Sequence, residues 1–499
     1  MVKKATMIKQ FSNDKLIGKR VLNHRGYSIP KDALTHSETA ALKNALIVKP
    51  DTPIEYSSNS EEFPVYYESP NRYYVPRFWG IKAFGSPDSD TRKEGRQLRE
   101  ELTFQGSLRP EQIEITDNFI NKGANGIICV PCGWGKTFMS LHIMGCLKRK
   151  TMIVVHKEFL VGQWKKELLR VYPSCRIGKL QGDKAEIGDE YDVTIAMLQT
   201  VARHDYPEGY FKDFGFTIYD ECHHLGAAYF SKALMKIQTK HMLGLSATPD
   251  RIDGLSKVFT WYLGDLTTRI KTREADAEVE VHAYNFTSTD EEYTHSDVDH
   301  RGNVVRPRLL NRITEFEPRT RVLIPAVKGA YDEGRKILIL SDRREHLKLW
   351  ERLLLEAECP SIAYYVGGMK QTALDESENA NVLLATYSMA AEAMNIPALN
   401  TIVLSTPKSD VEQSVGRILR QKKDERAFAP RIIDCIDKPH EVFLRQWNKR
   451  RDYFKKCSYV IKHYNQGLQQ KLESISLEET SPSNKNEREK SSQGFMFVD

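Results

Sequence analysis

The sequence predicts an α/β protein built from two parallel-sheet lobes in tandem, and three observations carry that prediction. Two long regions alternate short β-branched runs with amphipathic stretches, the pattern of parallel sheets covered by helices on both faces. In the first region a glycine-rich loop stands directly between an apolar run and a helical one. A pair of carboxylates in the same region follows another apolar run, where a parallel strand presents its carboxyl end.

The candidate buried strands are 126–130, 152–155, 193–197, 216–219 and 241–245 in the first region, and 336–340, 361–365, 382–385, 401–404 and 431–435 in the second. The lobes are accordingly placed at 96–273 and 321–440. Between them, 274–320 opens on Glu274, Asp276, Glu278 and Glu280 and continues polar, which reads as a strand-like extension and linker. Residues 1–95 carry many Tyr, Pro and Ser residues and point to a small N-terminal accessory domain, with the cluster from Tyr73 to Trp79 read foremost as core. Residues 441–470 read as a basic, aromatic helical extension. Two readings of its rings stay open: a surface that stacks on bases, or aromatics packed on the second lobe with only the charges exposed. Residues 471–499 read as a disordered tail, polar at 481–493 and apolar at its tip, Phe495-Met-Phe-Val498.

With 499 residues, 40% of them hydrophobic, each lobe can bury its own core. No apolar run reaches membrane-spanning length, and the first residues lack the apolar stretch of a secretory signal, so the expectation is a soluble, intracellular protein with no membrane partner. The formal charge of +6 permits nucleic acid as a partner without demanding it. The eight cysteines are scattered, and the C-x-x-C of Cys129 and Cys132 has no second pair at zinc spacing. Metal is therefore expected to arrive only with a nucleotide.

Residues 130–137, VPCGWGKT, follow an apolar strand and precede the helical run 138–147. This order makes a phosphate cradle. Gly133 and Gly135 let backbone N–H groups approach phosphate oxygens, Cys132 and Trp134 complete the loop, and the helix start adds its dipole. Lys136 is the residue to neutralise the β and γ phosphates of ATP, and the Thr137 hydroxyl the one to hold Mg²⁺. Asp220-Glu-Cys-His223 lies at the end of the run 216–219. There one carboxylate, Asp220, can hold Mg²⁺ while its neighbour, Glu221, orients and deprotonates the attacking water. Ser246-Ala-Thr248 closes the next apolar run, and with His223 forms the candidate coupling set His223, Ser246 and Thr248.

These motifs, in this order, resemble those of the superfamily-2 helicases of the DExH type, over roughly residues 105–425. The resemblance implies two RecA-like lobes, ATP and Mg²⁺ as cofactors, and ATP hydrolysis stimulated by nucleic acid. Leu108-Arg-Pro-Glu-Gln112 is similar to the adenine-reading segment, with Gln112 on the base edge. Residues 155–164 and 196–200 are similar to segments that touch the nucleic-acid backbone, which nominates Lys157, Gln199 and Thr200. In the second lobe, 337–343 and Ala385-Thr386 nominate Arg343 and Thr386 in the same way. Gln413-Ser-Val-Gly-Arg-Ile-Leu-Arg420 matches the arginine-finger segment: Arg417 and Arg420, one helical turn apart, can reach a γ-phosphate held by the opposite lobe, and Gln413 joins the ATP site. Asn395 stands where the family more often has Asp, which removes a charge next to the nucleotide.

The motif blocks at 220–224 and 244–254 and the segment 442–461 are most similar to the branch containing the xeroderma-pigmentosum group B helicase and transcript-release helicases of large cytoplasmic DNA viruses. That kinship implies a translocase on nucleic acid, with DNA favoured over RNA and 3′-to-5′ movement, serving transcription or repair. RNA polymerase or transcription factors are the implied partners and a monomer the favoured state. The implied compartment is a cytoplasmic viral factory or virion for a viral protein, the nucleus otherwise. An ATP-driven remodeller that releases transcript or polymerase without separating strands, and an RNA helicase, are the alternatives. The segment 250–253 has two readings, a strand-separating loop or a capped turn.

Overall fold

A computed structural model describes residues 11–466 apart from 12–13, 52–60, 132, 252, 271–274, 393, 395 and 422. The tail expected at 471–499 lies outside these residues, as do Cys132 and Asn395. Every strand expected in the two lobes is present, with ends shifted by at most a residue or two.

The first lobe is an eight-stranded sheet in the order Lys184–Ala185, Ile177–Gln181, Val193–Met197, Thr151–Val155, Phe216–Tyr219, His241–Ser246, Asn125–Cys129, Leu266–Arg269. All neighbours are parallel except the short first strand. Along Thr151–Val155 the side chains divide between two cores: Met152 and Val154 enter one, Ile153 and Val155 the other. A strand buried on both faces needs no polar residue, so it reads as a continuous β-branched run.

The second lobe is a seven-stranded, all-parallel sheet ordered Ile362–Tyr365, Val382–Thr386, Ile337–Ser341, Thr401–Leu404, Arg431–Asp437, Glu280–Phe286, Val460–Gln466. Two sequence-based expectations are corrected here. The strand Glu280–Phe286 lies inside this sheet, paired on both sides, so the segment read as a linker supplies part of the second lobe. Its alternating burial, with Glu280 and His282 half-buried among buried Val281 and Ala283, hid it from a reading tuned to all-apolar runs. The C-terminal extension is helical only over Glu441–Lys456; it then returns as the edge strand Val460–Gln466.

That helix is fastened by chemistry as well as by packing. Arg450 is buried and forks onto Asp434, with Nε at 2.7 Å and Nη2 at 2.9 Å. Phe443, Trp447, Phe454 and Tyr459 are buried against the second lobe, which decides between the two readings of this segment: most of its rings are core. A second buried pair, Arg319 with Asp437, ties the helix Glu317–Arg321 to the sheet, and the Tyr293 hydroxyl donates to the same carboxylate at 2.8 Å.

The N-terminal residues form a five-stranded sheet with the helix Arg77–Phe84 across it. Tyr27, Tyr73, Val75 and Trp79 belong to the same buried cluster as Met152, Val154 and Leu263 of the first lobe. The aromatic cluster is therefore core, shared between accessory domain and lobe. Gly80 is required there, since a Cβ would stand 2.4 Å from the Tyr27 ring. No described helix is long and apolar enough to cross a membrane.

His346 gives the second lobe a titratable core. It is 2% exposed and held at both nitrogens, 3.0 Å from Thr320 Oγ1 and 3.0 Å from Ser341 Oγ. Burial, and after it the Arg319 charge, pushes its pKa down to about 3. The ring is thus neutral in the fold and protonated in the unfolded chain below its ordinary value, so its contribution is complete above about pH 6.5 and is lost as pH falls toward 3. Unfolding by urea between pH 7 and pH 5 should show this residue costing about 1 kcal/mol of stability per pH unit below 6.5. A His346→Gln variant with an unchanged slope would remove it from that account.

Candidate ATP and nucleic-acid site

Motifs far apart in sequence meet because their strands are parallel neighbours. Thr151–Val155, Phe216–Tyr219, His241–Ser246 and Asn125–Cys129 lie side by side, so His156, Asp220, Ser246 and the phosphate loop all leave the sheet at one edge. Backbone bonds fasten that edge, with Val130 N donating to Ser246 O and Asp220 N to Val154 O.

The loop takes the geometry its glycines permit. Gly133 and Gly135 have φ of 83° and 85°, and Gly135 caps the helix Lys136–Leu147. A Cβ on Gly135 would also stand 2.6 Å from Gln112 Nε2. Gln112 is buried, and its amide clasps two backbones: Oε1 accepts from Arg109 N at 3.0 Å and Nε2 donates to Trp134 O at 2.8 Å. It fixes the loop to the start of the helix Pro110–Asn121. Arg109, which sequence reasoning missed, lies over the Trp134 ring at 5.1 Å and donates to the same carbonyl.

Lys136 and Glu221 face each other, Nζ to Oε1, at 3.3 Å. The other Glu221 oxygen stands 3.3 Å from His223 Nδ1, which lies 3.0 Å from Ser246 Oγ; that hydroxyl also accepts from Thr248 N at 3.1 Å. The coupling set His223, Ser246 and Thr248 is thus one connected group. Glu221 has φ of 45°, a left-handed conformation that costs a non-glycine residue about 1 kcal/mol and clusters at functional sites. Burial raises both carboxylates of the pair; Lys136 and His223 reverse this for Glu221, which is held below its ordinary range. Asp220 remains raised, by burial first and by the Glu221 charge next. Trp164, also missed, donates from Nε1 to Asp220 Oδ2 at 2.9 Å. The signal was present: an indole N–H in an otherwise apolar helical face needs a buried acceptor.

In the second lobe, Glu412–Val415 is a short helix that tightens into a 3₁₀ turn at Gly416–Ile418, and Gln413 is half-buried on it. Arg420 falls beyond both, so the two arginines do not share one regular helical turn. They nonetheless converge: Arg417 Nη1 and Arg420 Nη2 each donate to Met394 O at 2.8 Å. The lobes adjoin along the helix Glu158–Val171, whose Phe159 packs into cores of both lobes and whose Gly162 faces Gln371. Burial raises the Cys129 thiol at the root of the phosphate loop, and the Glu412 carboxylate is among the charges acting on it.

The candidate nucleic-acid contacts divide. Lys157 begins the helix Glu158–Val171 and is half-exposed; Gln199 is exposed and donates from Nε2 to His156 O at 2.6 Å. Thr200 is buried, its hydroxyl accepting from Gly182 N at 3.0 Å, which corrects it from a contact to a residue that holds the loop. Arg343 is braced by Asn311 Oδ1 at 2.5 Å, and Thr386 pairs with Ser388 at 3.3 Å, both on the edge of the second lobe. Of the segment 250–253, residue 252 lies outside the described residues; Arg251 pairs with Asp253 and donates to His223 O at 2.6 Å, while Asp253 accepts from Leu255 N.

A glycine-rich phosphate loop in one parallel-sheet lobe, with a carboxylate pair beside it and a second parallel-sheet lobe following, is the arrangement of a two-lobed ATPase. Residues 105–251 match the family described as Type III restriction enzyme, res subunit, and 319–422 match the Helicase conserved C-terminal domain. A protein of Acanthamoeba polyphaga mimivirus, named "Putative ATP-dependent RNA helicase", is 31% identical over 90% of this chain and 88% of its own. A protein of the same name from African swine fever virus is 26% identical over 66% of this chain and 68% of its own. The protein named "DNA 3'-5' helicase XPB" of Kineococcus radiotolerans is 32% identical over 36% of this chain and 32% of its own. The chain belongs to the superfamily-2 helicases, enzymes that hydrolyse ATP and act on nucleic acid.

Proposed function

We propose that this helicase is a translocase on DNA, moving 3′ to 5′ and serving transcription or repair, with its ATP site shared between the lobes. The observation that carries the shared site is the convergence of Arg417 and Arg420 on one carbonyl, in a lobe that adjoins the first along the helix Glu158–Val171 through Phe159. Lys136, Thr137, Gly133, Gly135 and the helix start hold the phosphates, with Gln112 and Trp134 shaping the adenine side. Glu221 orients and deprotonates the attacking water. Mg²⁺ fits the donor set. No described cluster of three His, Cys, Asp or Glu residues makes a metal cage of its own, while Asp220 and Thr137 supply the few protein oxygens a nucleotide-borne Mg²⁺ needs. Bound there, the ion would offset charge on the transferring phosphoryl group.

Trp164 follows as a positioning residue. Trp164→Phe keeps the ring in the core and removes the donor to Asp220, so the Mg²⁺ concentration for half-maximal ATPase should rise about tenfold, the scale of one hydrogen bond to a charged group. A titration of Mg²⁺ at fixed ATP reads this, and an unchanged requirement takes the metal-holding role from Asp220.

The DNA reading is supported by the name of the Kineococcus relative. The names of the two viral relatives favour RNA as the second reading. Comparing ATPase stimulation by duplex DNA, single-stranded DNA and RNA across a salt series separates them, since phosphate contacts make stimulation fall steeply with salt. Strand separation on tailed duplexes is measured alongside. Stimulation by DNA with no separation identifies a remodeller that releases transcript or polymerase, and stimulation by RNA alone overturns the DNA assignment.

A further inference from the structure

The candidate nucleic-acid segments and the ATP site of the first lobe are joined by a physical link through residues to which neither role has been given, His156 and His224. The side-chain amide of exposed Gln199 donates to the carbonyl of His156 at 2.6 Å. His156 is 6% exposed, and its ring lies against that of His224 with centroids 4.0 Å apart and planes 35° apart. The His224 ring in turn lies 4.3 Å from that of His223, which meets Glu221 Oε2 and Ser246 Oγ. His223 and His224 sit in the 3₁₀ turn Cys222–Gly226, whose first flanking residue is the left-handed Glu221.

We propose that His156 and His224 are positioning residues that transmit nucleic-acid binding at Gln199 and Lys157 to the water-activating carboxylate Glu221. The inference rests on the reading of Gln199 and Lys157 as nucleic-acid contacts. Its physical basis is packing: rings in contact inside a dense interior do not shift independently, and small displacements become changes between discrete arrangements. Nucleic acid that engages Gln199 competes for the amide now given to the His156 carbonyl, and Lys157 is the next residue along the same backbone. Either contact moves His156, and the stack carries the displacement to the turn that begins at Glu221. His223 meets the ATP side directly, through Glu221, Ser246 and Arg251, and so forms the end of the stack nearest the carboxylate.

The test uses the full chain and measures ATPase without nucleic acid and at saturating duplex DNA or RNA, whichever stimulates the wild type, together with nucleic-acid affinity by fluorescence anisotropy. His156→Leu removes the ring; His156→Phe and His224→Phe keep a flat ring in place. His156→Leu should leave unstimulated turnover within about twofold and cut the stimulation about tenfold, the scale of an ordinary coupling between sites. Affinity should stay unchanged, the phenylalanine variants should recover most of the stimulation, and His156→Leu combined with His224→Leu should lose no more than either alone. Full stimulation in His156→Leu, a loss that follows affinity, or additive losses in the double variant would each overturn the link. If His156→Leu does not fold, His224→Leu against His224→Phe makes the same comparison. A wild type stimulated by no nucleic acid overturns the functional reading itself, and this inference with it; stimulation retained equally by wild type and variants overturns only the inference.

Discussion

Arg417→Ala is expected to lower stimulated ATP turnover by about 10³-fold, the low end of what an arginine finger contributes, while ATP affinity changes only a few-fold. The asymmetry follows from when the charge is needed. On the proposed shared site, Lys136 and the loop backbone meet the β and γ phosphates in the ground state, whereas the phosphoryl group in transit spreads negative charge over oxygens assigned to the second lobe's arginines. Arg417 is buried and oriented by the Met394 carbonyl, and Arg420 is held on the same oxygen, so neither side chain must be ordered at the moment of reaction. Arg420→Ala should show the same signature. Phosphate release at saturating nucleic acid measures turnover, a fluorescent ATP analogue measures affinity, and thermal unfolding checks the fold. A raised KM with kcat intact would show that the arginines bind ATP rather than stabilise its transition state.

Glu221→Gln is expected to cut hydrolysis by about 10² to 10⁴-fold and to leave the enzyme holding ATP. The amide is nearly the same shape, so the fold and the His223 contact survive, but it cannot take a proton from water. The pairing of Glu221 with Lys136 adds a second consequence. With the carboxylate neutralised, the ion pair that competes with the phosphates for Lys136 is lost, so ATP affinity should rise rather than fall. Single-turnover hydrolysis and nucleotide dissociation measure the two effects separately. Unchanged steady-state hydrolysis removes Glu221 from its role.

Local chemistry was legible residue by residue. The phosphate loop could be read because Gly133, Gly135, Lys136 and Thr137 need a particular backbone and sit in one continuous segment. The carboxylate pair could be read because it follows a short β-branched and aromatic run, Phe216–Tyr219, that is wholly buried. The strand character around Glu280–Phe286 could be read but its place inside the second sheet could not, since its half-buried polar positions look like those of a connecting segment until its partners are known. Thr200 looked like its neighbour Gln199, and only the approach of Gly182 shows that one faces inward and the other outward.

By itself the sequence determined the two-lobed α/β class, the phosphate loop and the paired carboxylates, because each is written in contiguous residues whose period or spacing has one economical structural meaning. The tertiary structure alone decided which groups meet. Trp164 reaches Asp220, the imidazole of His156 comes into line with those of His224 and His223, and Arg319 and Arg450 are buried on carboxylates. Parallel strand order is the physical reason: it aligns the carboxyl ends of distant segments at one edge, and which ends become neighbours depends on the order of strands across the sheet rather than along the chain.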